Sequence, residues 1–318
     1  MLRIRPPAAL LSLALLAAGL LAALPVAADG QPDDAYRFAI IGHGFADTGE
    51  THLQRAIEAT ADKAVAFVVV TGIKGGQEAC TDKLYQKRLQ LIAEAPRATI
   101  MLPAGSDWTE CKNTAGRSNA IERLNRLREL FYGEPNSLGM AKVALTRQSM
   151  SPRWRSYAEN SHWSVGKVLY ATVNVPADNN HYLNEAGRNS EYEDRLVANR
   201  FWLHRLFAIA RRDKQSAVVL FTEGDLRALS QPTGLRALLR EALPENDGFA
   251  ETRREVLTLA QKFPGKVLLV DSARLAKGTK PAIEWRGNLG HMSAGGQALE
   301  VEVDVGAKTL FKVEKPTK

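Results

Sequence analysis

The sequence predicts a single-domain α/β sandwich, and three observations predict it. Apolar runs of strand length alternate with stretches of helical spacing in β-α-β-α-β order. The run Ala66–Val70 is continuous and β-branched, as in a strand covered on both faces. The chain closes on two segments, 299–305 and 309–313, that alternate apolar with polar residues. No low-complexity linker and no internal repeat divides the pattern.

The elements follow in order. Tyr36–Ile41 reads as a short buried strand ending at Gly42, and Glu50–Lys63 has helical spacing at Leu53, Ala56, Ile57 and Thr60. Ala66–Val70 is the second strand. Thr81–Glu94 is a helix with Thr81 and Asp82 at its N-terminus and a stripe of Leu84, Leu91 and Ile92. Ala98–Leu102 is a third strand stopped by Pro103, and Asn119–Tyr132 is amphipathic, with Ile121, Leu124, Leu127, Leu130 and Phe131 on one side. Residues 133–160, rich in Gly, Pro, Ser and Asn, read as a long surface excursion. Trp163–Val165 and Lys167–Val175 form a hairpin turning at Gly166, followed by a polar loop over 176–190. Glu191–Arg212 is the longest helix. Ala217–Thr222 is a strand, Glu251–Phe263 a helix and Lys266–Asp271 a strand.

Before these elements, Arg3 and Arg5 precede an apolar run from Ala8 to Leu24 and the small-residue stretch Pro25-Val26-Ala27-Ala28. That charged, apolar, small order is a signal peptide over 1–28, leaving 29–318 as the folded part; an uncleaved anchor helix is the alternative. The destination is then the periplasm or the exterior, with no membrane contact after cleavage. The chain carries 42 basic and 35 acidic residues, a net +7 with a pI near 9.4. The bias is spread out; its densest patch, Arg195, Arg200, Arg205, Arg211 and Arg212, reads as a solvated helix face. An anionic small molecule or a protein is the expected partner, and no nucleic-acid module is present. Two cysteines, Cys80 and Cys111, suggest one bridge in an exported chain. Closing a loop of about 30 residues would stabilise by roughly 4 kcal/mol through chain entropy; two buried thiols are the alternative.

Ligands in such sheets meet the loops at the carboxyl ends of the strands. The informative residues are therefore Gly42-His43-Gly44, 71–74, 104–108, 174–181, Glu223-Gly224-Asp225 and Asp271-Ser272.

Several of these stretches carry a family resemblance. Phe38-Ala39-Ile40-Ile41-Gly42, the run from Phe67 through Gly76, Cys80-Thr81-Asp82-Lys83-Leu84-Tyr85, the run from Leu102 through Cys111, Glu122-Arg123-Leu124, Leu127-Arg128, Glu159-Asn160, Trp163, Asn174-Val175-Pro176 and Asn179-Asn180 together resemble the exported bacterial branch of the calcineurin-like metallophosphoesterases. The resemblance covers the chain to about residue 180; beyond it only the order of elements matches. It implies a metallophosphoesterase-like β-sandwich flanked by helices. It also implies a two-metal site whose ligands stand on tight turns: Gly-Asp after the first strand, Gly-Asp-Ile-Lys after the second, Pro-Gly-Asp-Asn-Glu-Trp after the third and Gly-Asp-x-His on a late strand. Two cations about 3.5–4 Å apart need a bridging carboxylate, with amide and imidazole completing their shells, to activate water against phosphorus.

This chain departs from that pattern at each turn. His43 stands at the first Asp, Gly72 at the second, Gly105 and Ser106 at the third turn's Asp and Asn, and Asp271-Ser272-Ala273-Arg274-Leu275 lacks the late His. No Asp lies within five positions of Gly72. Without bridging carboxylates two close dications repel. The expectation is a metal-free relative that binds instead of cleaving.

The candidate pocket residues are His43, Lys74, Ser106, Asp107, Asn180, His181, Glu223 and Asp225. His43 would contact a ligand or act as acid or base, and Lys74 would meet an anion. Asp107 hydrogen-bonds within its turn while Trp108 packs beside the bridge. Asn179, Asn180 and His181 offer amide and imidazole groups to a phosphate or sugar. Glu223 and Asp225 are the one close carboxylate pair near the rim, able with His181 to hold a single metal. His52, His162, His204 and His291 read as packing residues. No cofactor is expected for a binding or structural protein. Mn, Fe or Zn enters only under the alternative, a divergent phosphoester hydrolase built on His43, Asp107, His181 and Glu223.

Overall fold

The computed structural model describes residues 35–42, 50–184, 187–230 and 246–314. Residues 1–28, read from the sequence as a signal peptide, and His43 lie outside the described residues. The first half gives β1 (Tyr36–Ile41), α1 (Glu50–Ala59), β2 (Val65–Thr71), α2 (Asp82–Ala93), β3 (Thr99–Leu102), α3 (Gly105–Trp108) and α4 (Ala120–Phe131). The middle gives β4 (Thr146–Arg147), β5 (Ser161–Val165), β6 (Val168–Thr172), α5 (Ser190–Arg212) and β7 (Ala217–Phe221). Then come α6 (Ala250–Gln261), β8 (Lys266–Asp271), β9 (Glu284–Arg286), β10 (Leu289–Ser293), β11 (Ala298–Val303) and β12 (Phe311–Glu314).

The strands form two mixed sheets, ordered β12-β11-β1-β2-β3 and β4-β5-β6-β7-β8-β10-β9. In the first, β1, β2 and β3 run parallel and β11 joins β1 antiparallel. In the second, β6, β7, β8 and β10 run parallel.

Side-chain alternation explains why these strands are apolar throughout. Phe38, Ile40, Phe67, Val69, Ile100 and Leu102 enter the same core cluster as Tyr170, Val219, Phe221, Leu268 and Val270 of the other sheet. The residues between them turn the other way. Ala39, Ile41, Val68, Val70 and Met101 meet α1, α2 and α4, while Leu169, Ala171, Val218, Leu220, Val267 and Leu269 meet α5 and α6. Each sheet thus has one face on a shared core and the other under helices, and a strand buried on both faces has no polar positions to alternate with. Aromatic rings fasten the shared core: Phe67 stands edge-on to Trp163 with centroids 5.1 Å apart and to Tyr170 at 4.7 Å. Truncating such a ring to alanine costs about 3–5 kcal/mol.

Local signals act as expected at several ends. Thr81 Oγ1 accepts the Leu84 amide at 3.3 Å and caps α2, and Gly166 turns the β5–β6 hairpin.

Three expectations need correction. The excursion over 133–160 carries β4 and places Gln148, Glu159 and Asn160 in the interior. Glu159 is paired with Arg128 at 2.6 Å, and Asn160 donates to Gln148 and Asn199, so polar composition there marks a satisfied buried network. Arg195, read as part of a solvated face, has no exposed surface. The closing strands do pair with each other, but β11 inserts beside β1 and completes the first sheet. The pair β9–β10 was not anticipated; its short strands turn at Gly287.

Candidate functional site

The carboxyl ends of the parallel strands meet in one place because Glu223, just after β7, reaches across to the other sheet. Its Oε2 accepts the Gly105 amide at 2.6 Å and the Ala177 amide at 2.8 Å, joining the loops after β3, β6 and β7. The side chain is buried, and burial pushes its carboxyl up to about 8 against the pull of the two amides. Asp107 makes a second tie. Its carboxylate accepts Ala104 N at 2.8 Å within its own turn, as expected, and also Ile73 N at 3.1 Å and Lys74 N at 3.2 Å in the turn after β2. Asp107 is fully buried, and burial lifts it to about 6 against three amides and the Lys74 charge.

Lys74 and Ser106 complete this floor. The Lys74 ammonium is buried and donates to Gly75 O at 2.9 Å, and Asp107, Glu110 and Glu78 surround its charge. It serves as counter-charge to those carboxylates, although burial still lowers its pKa. Ser106 Oγ donates to Lys74 O at 3.3 Å.

The loop after β6 forms the opposite wall. Asn179, Asn180 and His181 all have left-handed backbone, at φ 41°, 55° and 53°, a conformation that costs an L-residue free energy and that Asn tolerates best. Arg195 holds the turn from below: its guanidinium donates to Asn180 Oδ1 and, at 2.8 Å, to Asn180 O. Asn180 Nδ2 donates to Gly248 O at 2.9 Å, and Gly248 N donates to Asn179 Oδ1 at 3.0 Å. Gly248 must lack a side chain, since a Cβ there would fall 2.1 Å from Asn179 O. The turn lays the His181 ring 5.0 Å from that of Trp108, whose other neighbour is the Arg195 guanidinium at 5.7 Å. Burial holds His181 below the usual imidazole range. Trp108 Nε1, Asn174 Oδ1 and His181 Nδ1 are buried polar atoms with no hydrogen-bond partner in the chain.

The expected grouping of Glu223, Asp225 and His181 around one metal is not what forms. Glu223 turns into the amide tie and His181 stacks on Trp108. Asp225 instead meets Asp271, at the end of β8, and His291, on β10. Its Oδ1 lies 3.5 Å from His291 Nε2, which is 2.6 Å from Asp271 Oδ2. These three offer ligand atoms within 4.8 Å of one another. Burial lowers the pKa of His291, but the Asp271 hydrogen bond and the charges of Asp271, Asp225 and Glu284 outweigh it and raise the group overall. His291, read from sequence as a packing residue, is the site residue that sequence reasoning missed. Its one signal is a polar residue in an apolar strand, Leu289 to Ser293, two positions short of the partner of Asp271.

The two-cation set that the family resemblance implies does not fit these residues. Gly72 sits at φ 70° with no side chain at a ligand position, Gly105 and Ser106 hold another, and the nearby carboxylates of Asp107 and Glu223 are engaged by five amide contacts from Ile73, Lys74, Ala104, Gly105 and Ala177. Beside this floor Cys80 and Cys111 form a disulfide, Cα–Cα 5.8 Å, and Tyr85 Oη donates to Asp107 O at 2.5 Å. Among the described residues no helix is long and apolar enough to cross a membrane.

No protein-family model matches this chain, and no curated protein does. Among solved structures it is similar to GAP50, described as the anchor in the inner membrane complex of Plasmodium, at 10% identity over 89% of each chain with a TM-score of 0.47.

Proposed function

We propose that this chain is an exported, non-catalytic relative of the calcineurin-like metallophosphoesterases, a binding protein on the family's β-sandwich whose two-metal site has been dismantled. The observation that carries this reading is the fate of Asp107 and Glu223. Both stand at the strand ends, both are buried, and both hold loops together through backbone amides. Asp107 has both oxygens engaged by amides and none left to bridge a pair of cations, and Glu223 Oε2 is taken by two more. The sheets that share one aromatic core support the sandwich, and the disulfide supports an oxidising destination, periplasmic or extracellular. The expected ligand is a small anionic molecule, drawn by the net positive charge and met by the unpartnered donor Trp108 Nε1 and by His181 Nδ1 in the tautomer that carries a proton there.

The second reading, a divergent phosphoester hydrolase, is favoured by one observation: the Asp225–Asp271–His291 group supplies carboxylate and imidazole at the same strand ends. One experiment separates the two. Residues 29–318 are purified, bound Mn, Fe and Zn are measured by elemental analysis, and phosphomonoesters and phosphodiesters are assayed with each metal added. Absence of turnover, with melting shifts on adding small anions, is the expected result. Two metals per chain with metal-dependent turnover would overturn the binding-protein reading.

A further inference from the structure

We propose that Asp225, Asp271 and His291 form a site for a single divalent cation of the Zn2+ class, which clamps the ends of β7, β8 and β10. This goes beyond the binding-protein reading and does not depend on it.

The donor set is mixed, and its parts arrive from three separate strands. One oxygen of each carboxylate is fixed by a backbone amide: Arg227 N donates to Asp225 Oδ1 at 2.6 Å and Ala273 N donates to Asp271 Oδ1 at 2.9 Å. Those bonds orient the carboxyl groups, leaving Asp271 Oδ2 and the second lone pair of Asp225 Oδ1 beside His291 Nε2 to face a cation, in the way outer hydrogen bonds position metal ligands. The third donor, His291 Nε2, lies between the two carboxylates. Glu284 stands opposite His291 on β9 and adds a third negative charge nearby. Three carboxylates around one imidazole leave negative charge that a dication would balance.

The spacing is close to that of a bound state. With Zn–N and Zn–O distances of about 2.0–2.2 Å and tetrahedral angles, donor atoms sit about 3.4 Å apart. His291 and Asp225 already stand at 3.5 Å. The His291–Asp271 contact at 2.6 Å must open by about 0.8 Å, within reach of a small rotation of an imidazole that is partly exposed. Asp271 is buried while Asp225 keeps 31% of its side chain exposed, so the site has a firm base and an open side for entry and for a bound water. One imidazole with carboxylates suits Zn2+; Ca2+ and Mg2+ prefer all-oxygen shells.

The test uses the mature chain after EDTA treatment and dialysis, titrated with ZnCl2, CaCl2 or MgCl2. Calorimetry and elemental analysis should find one Zn2+ per chain, and the melting temperature should rise by about 5 °C at a hundredfold excess over Kd. CaCl2 and MgCl2 should leave it unmoved. Zn2+ affinity should fall at least tenfold in His291→Gln and in Asp225→Asn, the latter being the more exposed position and the safer one for folding. Absence of Zn2+ binding, or binding unchanged in both variants, overturns the site. Phosphoester turnover with that one Zn2+ in place would instead sink the non-catalytic reading and leave the cation site standing.

Discussion

Glu223 Oε2 accepts the Gly105 amide at 2.6 Å and so ties the end of a strand in one sheet to the end of a strand in the other. The same oxygen takes the Ala177 amide. Removing the side chain strands two buried N–H groups, each costing about 1–3 kcal/mol. Glu223→Ala should lose about 2–5 kcal/mol in urea unfolding. Glu223→Gln keeps an accepting oxygen of the same reach, so it should stay within about 1 kcal/mol of the parent chain. Equal losses in the two variants would remove the amide tie as the reason for the residue.

Asp107 gives a pH signature of defined sign. Its folded pKa of about 6 lies above the ordinary 3.8, because burial disfavours the charged form. The folded state therefore binds this proton more tightly. The stability it contributes is complete below about pH 4 and is lost as pH rises through about 6, by roughly 3 kcal/mol. The unfolding free energy of the parent minus that of Asp107→Asn, measured in urea from pH 4 to 7.5, should fall across that interval. A flat difference would contradict the buried, proton-holding carboxyl.

The left-handed turn at Asn179–His181 should be sensitive from both sides. Gly248→Ala pushes a Cβ into Asn179 O and should destabilise by at least about 2 kcal/mol. Asn180→Ala replaces a residue that tolerates left-handed backbone and deletes its bonds to Arg195 and Gly248. Amide hydrogen exchange at 179–182 should quicken in both variants by more than exchange in β2, which follows only the global loss.

The bridge between Cys80 and Cys111 closes a sequence separation of 31. Cys80→Ser with Cys111→Ser should lower stability by about 3–4 kcal/mol by freeing the unfolded chain. Reduction of the parent should add two hydrogens to the intact mass and reproduce the loss.

The framework was legible in the sequence because the strands are buried on both faces. Lys266–Asp271 matches to the residue, and Tyr36–Ile41 does too. Thr81 announced its helix through the cap. The site was less legible, since its decisive contacts join residues far apart in the chain. Nothing near Glu223 signals that its partners are Gly105 and Ala177. The partners of His291, Asp225 and Asp271, stand after or on other strands, and Arg195 looks like one arginine among several on a basic helix until its bonds to Asn180 are seen to bury it. Short strands such as Glu284–Arg286 lack an apolar pattern because all three residues are exposed.

Strand β1 pairs with β2 on one side and with β11 on the other, setting Tyr36 against Val303. A ribosome delivers β1 well over 200 residues before its antiparallel neighbour. During elongation β1 therefore presents a raw hydrogen-bonding edge, the kind that recruits other chains. Pairing so remote also delays productive collapse. A nascent copy of this protein would benefit from a holding chaperone until Ala298 has emerged, and any truncation ahead of that residue leaves the edge permanently bare.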